Sequence, residues 1–170
     1  NNEIYSANIS GDFDNIDNNE FIVTNQFKVA GINENIIPDI ILFVNGLPLA
    51  VIECKSPYIT NPMEAGIKQL LRYCNNRNPE ENEGAERLFH YNQVLVSTHF
   101  KEARLATISA NYEHYLEWKD VYPNNIENFS DKSSQEVMIE GVFNQTNFLD
   151  IVRNFIVFDL DEGKTIKKVT

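Results

Sequence analysis

Apolar positions change their spacing several times along the chain, and each change marks an element. Phe21, Val23, Phe27 and Val29 share one parity, broken at Asn25, which predicts a strand over Phe21–Ala30. Gly31–Asn35 has turn chemistry. Ile36–Val44 and Leu47–Cys54 are β-branched runs joined by Asn45-Gly46, a strong hairpin signal. Neither run alternates, so both are expected to be buried on both faces. The spacing then becomes helical: Met63, Ile67, Leu70, Leu71 and Cys74 fall on one face. Asn61 is the expected N-cap, Pro62 the first helical residue and Glu64 the capping-box acid, with the end near Asn75-Asn76.

Asn78–Gly84 reads as an acidic loop, Tyr91–Thr98 as a fourth strand and Arg104–Ala110 as a fifth. Tyr112–Pro123 is aromatic and irregular, and Val137–Phe143 is a short helix or turn. Asn147–Phe158 predicts an amphipathic helix with Phe148, Leu149, Val152, Phe155 and Ile156 on one face. The first twenty residues are polar and read as a loop or the frayed end of a fragment. This order, strand, hairpin pair, helix, strand, predicts a mixed α/β fold, a central mixed sheet flanked by helices. No internal repeat is visible.

Composition narrows the class. With 170 residues, 42% of them hydrophobic, the chain can build one domain with a core. The net charge is −11 and neither half is basic, which disfavours a protein that coats nucleic acid through clustered Lys and Arg. Contact with a polyanion then needs a metal ion or a basic neighbour. Residues 1–14 carry no signal-peptide pattern, and Ile36–Ile52 is too interrupted to span a membrane, so a cytoplasmic setting is expected. Cys54 and Cys74 write no disulfide framework, and Cys54 reads as a small core residue. His90, His99 and His114 show no zinc spacing. Tyr112, Tyr115, Trp118 and Tyr122 suit base stacking, although core or interdomain packing is the commoner use of such rings.

Glu53 and Lys55 interrupt an apolar strand and share one face, with Cys54 on the other. Asp39, after Pro38, is a second acid in a buried run. A three-residue loop, Asn45–Leu47, makes paired positions sum to a constant that sets Asp39 opposite Glu53, on the same face. A two- or four-residue loop sets Asp39 opposite Ile52 or Cys54, on the wrong face, unless a bulge restores the register. Two neighbouring buried acids repel, and a divalent cation removes the repulsion. Oxygen donors suit Mg²⁺, and Lys55 can then orient or deprotonate a water or neutralise charge on a scissile phosphate. An isolated E-x-K is more often a surface ion pair. Here the apolar flanks, the Pro-Asp spacing and the following helix favour phosphodiester hydrolysis.

Pro38-Asp39 followed by Glu53-x-Lys55 resembles the PD-(D/E)xK nuclease superfamily. More narrowly, Pro38–Pro57 is similar to the endonuclease domain of the restriction (motor) subunit of type I restriction–modification enzymes, and Gln69-Leu70-Leu71-Arg72-Tyr73 matches that family's Q-x-x-x-Y motif. Asp12–Asn15 with Phe21–Phe27 resembles its lead-in, and Asn154–Phe158 its exit toward the motor. The resemblance implies a restriction-endonuclease-like core over 1–142 and a helical connector over 143–170. It implies Asp39 and Glu53 as Mg²⁺ ligands, Lys55 as the catalytic lysine, and Gln69 and Tyr73 as support for the site and for DNA contact. Without the motif, Tyr73 reads more readily as a half-buried packing residue. The implied substrate is double-stranded DNA, cut after ATP-driven translocation by motor domains, with specificity and methyltransferase subunits as partners of the parent subunit. Gly163-Lys164-Thr165 is no P-loop, because Phe158 stands where that motif needs glycine, so ATP is expected to act elsewhere in the parent. An additional upstream acid, common in the superfamily, has Glu3 and Glu20 as candidates. The acidic total implies weak DNA binding by this piece alone. The competing readings are a catalytically silent docking domain of the same fold and a repair or recombination nuclease.

Overall fold

The computed structural model describes residues 11–31, 33–74, 84–161 and 164–169. Five strands form one sheet in the order β1-β2-β3-β4-β5: Phe21–Asn25, Ile40–Val44, Leu47–Cys54, Val94–His99 and Glu102–Ala106. Neighbours are antiparallel except β3 and β4, which run parallel. The parallel step needs a crossover, supplied by α1 (Pro62–Tyr73) and α2 (Glu86–Phe89). Helices α3 (Ser134–Phe143) and α4 (Gln145–Asp150) follow on the other face. The result is the mixed α/β sheet flanked by helices that the element order predicts.

The core lies in two layers, one on each side of the sheet. Ile41, Val51 and Leu95 pack with Ile67, Leu70 and Phe89 beneath α1 and α2. Leu42, Ala50, Val94 and Val96 pack with Met138, Val142 and Phe148 beneath α3 and α4. Strand β3 contributes to both layers, as expected of a run without alternation, and Leu49, Ala50 and Val51 are inaccessible to solvent. β1 is an edge strand and exposes Ile22 and Val23.

The hairpin turn has two residues rather than three. Asn45 and Gly46 both have positive φ, 50° and 79°, the backbone that a tight hairpin turn requires. Val44 pairs with Leu47 and Phe43 with Pro48, but Leu42 then pairs with Ala50. Leu49 is the extra residue of a bulge, and both Leu49 and Ala50 face the second core layer. Beyond the bulge Ile40 lies opposite Ile52, so the next pair outward is Asp39 with Glu53.

Several other expectations are corrected. β1 ends at Asn25 because Gln26 turns to φ 52°, leaving only an isolated bridge between Val29 and Ile36. Asn61 does not cap α1 through its side chain: it sits at φ 50°, and its amide meets Glu64 instead. β5 ends at Ala106, where Thr107–Ala110 closes a turn. The helix expected over Asn147–Phe158 stops at Asp150 and continues as a π-helical turn, Ile151–Phe155. From Ile156 the chain is strand β6 (Ile156–Asp161), antiparallel to β7 (Lys164–Val169), where helix was expected. Phe155 is exposed, unlike Phe148, Leu149, Val152 and Ile156. Cys54 is exposed and Cys74 buried, both as free thiols. Of the aromatic run, Tyr115 is core and Tyr122 is exposed, while Trp118 packs on the second layer and donates to the Asp120 carbonyl. Glu3 and most of Asn78–Gly84 lie outside the described residues.

Candidate active site

The bulged register brings Asp39, Glu53 and Lys55 to one end of the sheet. Glu53 lies on the α1 face, two residues beyond the core residue Val51, and retains 2% of its exposure. Asp39 immediately precedes β2. Its Oδ2 accepts the Cys54 N–H at 2.8 Å and its Oδ1 accepts the Gln26 amide at 2.7 Å. The backbone of Gln26 also donates to the Asp39 carbonyl at 3.0 Å. The left-handed turn at Gln26 therefore clamps the aspartate, and nothing in the sequence pattern singled that glutamine out.

Lys55 is held from two sides. Its Nζ donates to Glu53 Oε1 at 2.5 Å and to Gln69 Oε1 at 2.6 Å. Gln69 in turn donates from Nε2 to the Tyr73 hydroxyl at 2.6 Å. Gln69 and Tyr73 are one helical turn apart, so one flank of α1 supplies both groups. Tyr73 is buried in the first core layer, so it combines the packing and the positioning readings. Gly66 on the same helix allows the close approach. A Cβ there would come 2.2 Å from Ser97 Oγ and 3.4 Å from Lys55 Cγ, and Ser97 Oγ donates to the Met63 carbonyl. A glycine inside an amphipathic helix is the sequence signal that could have flagged this contact.

The electrostatics of Glu53 are unusual. Burial raises its carboxyl pKa to about 7, the Lys55 ammonium pulls it back down, and the charge of Asp39 pushes it up. Asp39 is thus close enough to repel it. Among the described residues, Glu53 Oε2 is buried with no hydrogen-bond partner. Burial, with the charges of Asp39 and Glu53 adding to it, also raises the Cys54 thiol. Glu20 is exposed and bonded to Asn45, at the opposite end of the β2–β3 hairpin, so it is not the additional acid of this site. No group of three or more His, Cys, Asp or Glu able to hold a metal occurs among the described residues.

A sequence model described as the type I restriction enzyme R protein N terminus matches residues 2–114, two thirds of the chain. The chain belongs to that family. The matched span contains Asp39, Glu53, Lys55, Gln69 and Tyr73. The type I restriction enzyme HindI endonuclease subunit of Haemophilus influenzae is 37% identical over 162 residues, 93% of this chain and 15% of that protein. Two putative type I restriction enzyme endonuclease subunits of Methanocaldococcus jannaschii, MjaIXP and MjaVIIIP, are 26% and 31% identical over 87% and 93% of this chain. The chain spans 15% and 14% of their lengths, respectively. It is thus related to the N-terminal region of endonuclease subunits of type I restriction enzymes. No described helix is long and apolar enough to cross a membrane.

Proposed function

We propose that this chain is the DNA-cleaving module of a type I restriction enzyme and hydrolyses phosphodiester bonds of double-stranded DNA with Mg²⁺. The observation that carries this reading is the buried, unpartnered Oε2 of Glu53 beside Asp39. A fully buried carboxylate oxygen without a donor is costly, and a cation shared with Asp39 would satisfy it. Oxygen donors from two carboxylates, with room left for water and phosphate oxygens, suit Mg²⁺.

When bound, the ion would supply positive charge to the phosphate and acidify a water molecule. Asp39, fixed by Gln26 and the Cys54 N–H, and Glu53 would hold it. Lys55 uses two of its three donors on Glu53 and Gln69, which leaves the third for the attacking water or a phosphate oxygen. Gln69 and Tyr73 keep that ammonium in place as positioning residues. ATP-driven translocation and contacts with specificity and methyltransferase subunits belong, in this reading, to the longer subunit rather than to this chain.

The test is cleavage of duplex DNA by the full subunit in its complex, carrying Asp39→Ala, Glu53→Ala or Lys55→Ala. Each is expected to abolish cleavage and leave translocation intact. Cleavage that survives all three would replace this reading with a silent docking domain.

A further inference from the structure

The end of the sheet that carries the carboxylates also carries two exposed aromatic residues. β3 and β4 run parallel with Cys54 beside Thr98, and the Lys55 N–H donates to the Thr98 carbonyl at 2.8 Å. The residues that follow β4 therefore emerge next to Lys55. They form a two-residue turn, Phe100-Lys101, closed by the pair His99 and Glu102. Phe100 has φ 49°, a left-handed backbone that favours Asn or Gly and disfavours a bulky residue, yet the residue is 68% exposed. Tyr58, three residues after Lys55, is 96% exposed.

The turn is braced rather than loose. The Lys101 carbonyl accepts the Gln135 N–H and the Ser134 hydroxyl, both at 3.2 Å, from the first turn of α3. The Gln135 side chain donates to Thr98 Oγ1 at 2.8 Å. The Lys101 ammonium lies 5.5 Å from the centre of the Phe100 ring. A strained, exposed aromatic on a fixed support, beside a cation, is a poor choice for a passive turn. Strained backbone of this kind concentrates at ligand clamps.

We propose that the Phe100-Lys101 turn positions duplex DNA at this site. Phe100 wedges against a base step from the minor groove, Lys101 meets a neighbouring phosphate, and Tyr58 packs on the sugar–phosphate backbone. Together they hold the scissile phosphate at Asp39, Glu53 and Lys55. The proposal rests on the nuclease reading above and adds the substrate-gripping residues. It also answers the charge problem: a chain of net charge −11 gains affinity from ring contacts that do not depend on phosphate attraction.

The test is duplex binding by this chain at low salt, followed by fluorescence anisotropy of a labelled random-sequence oligonucleotide, together with Mg²⁺-dependent cleavage by the full subunit. Phe100→Asn suits the turn backbone, so the fold is kept or stabilised. It is expected to weaken binding roughly tenfold or more, the effect of losing one ring–base contact, with the salt dependence unchanged. Phe100→Trp should restore binding, which a purely structural role would not explain. Lys101→Ala should reduce the slope of log affinity against log salt by about one. Wild-type affinity in Phe100→Asn overturns the proposal, as does a wild-type chain that does not bind duplex at low salt. Lys55→Ala keeps the two readings apart. If it abolishes cleavage while Phe100→Asn changes nothing, the wedge fails alone; if cleavage survives Asp39→Ala, Glu53→Ala and Lys55→Ala alike, the nuclease assignment fails.

Discussion

Replacing Glu53 by Gln isolates the electrostatic cost of the site. The carboxyl is raised from its ordinary 4.5 to about 7, chiefly by burial. A raised acid contributes stability that is complete below the unfolded value and is lost as pH rises through the folded one. The full shift corresponds to about 3 kcal/mol. In the metal-free protein, the stability of Glu53→Gln minus that of the wild type should therefore grow by about 2 kcal/mol from pH ~5 to pH ~8. Taking the difference cancels the groups that titrate equally in both proteins. Urea denaturation followed by circular dichroism, with EDTA present, measures it. Adding Mg²⁺ at the higher pH should stabilise the wild type by mass action and leave the variant nearly unmoved. A difference that stays flat with pH would mean that Glu53 is not desolvated as its surroundings indicate. A variant that gains as much from Mg²⁺ as the wild type would remove Glu53 from the metal-binding pair.

Gly66→Ala should destabilise the chain by about 1–3 kcal/mol, because its methyl meets Ser97 Oγ, and Ser97→Ala should recover part of the loss; thermal melts of the single and double variants check this. Tyr73→Phe removes the acceptor of the Gln69 amide and should cost about 1 kcal/mol of stability. It should also slow cleavage without changing DNA affinity, measured by single-turnover kinetics beside binding. Thiol labelling of the native chain should modify Cys54 and leave Cys74 protected until unfolding, because Cys74 is buried and its thiol pKa is pushed up by that burial. Labelling of both at one rate in the native state would contradict this packing.

The sheet was legible where local chemistry and pattern agree. Asn45-Gly46 wrote the turn, and the uninterrupted runs on either side wrote two central strands. Asp39, Glu53 and Lys55 stood out because charge in an apolar run demands a reason, and Gln69 and Tyr73 share a helical flank by spacing alone. The loop length misled, because a bulge leaves no mark in the hydrophobic pattern when its extra residue, Leu49, is as apolar as its neighbours. Gln26 was invisible because its role comes from a left-handed backbone and a contact thirteen residues away. The helix expected through Phe158 failed because β6 finds a partner in β7, and tertiary pairing outweighs periodicity over so short a stretch. The Phe100 turn gave no signal, since phenylalanine is not a residue that local preference puts there.

The extra residue at Leu49 separates two tasks that a plain ladder would tie together. The tip of the ribbon can satisfy its own tight geometry while the far end obeys a different count. A parity rule results for anyone editing this hairpin. Straightening the bulge with Leu49 still in the chain would set Asp39 opposite Ile52 and turn it from Glu53, whereas deleting Leu49 would leave a plain two-residue hairpin in which the two acids still meet.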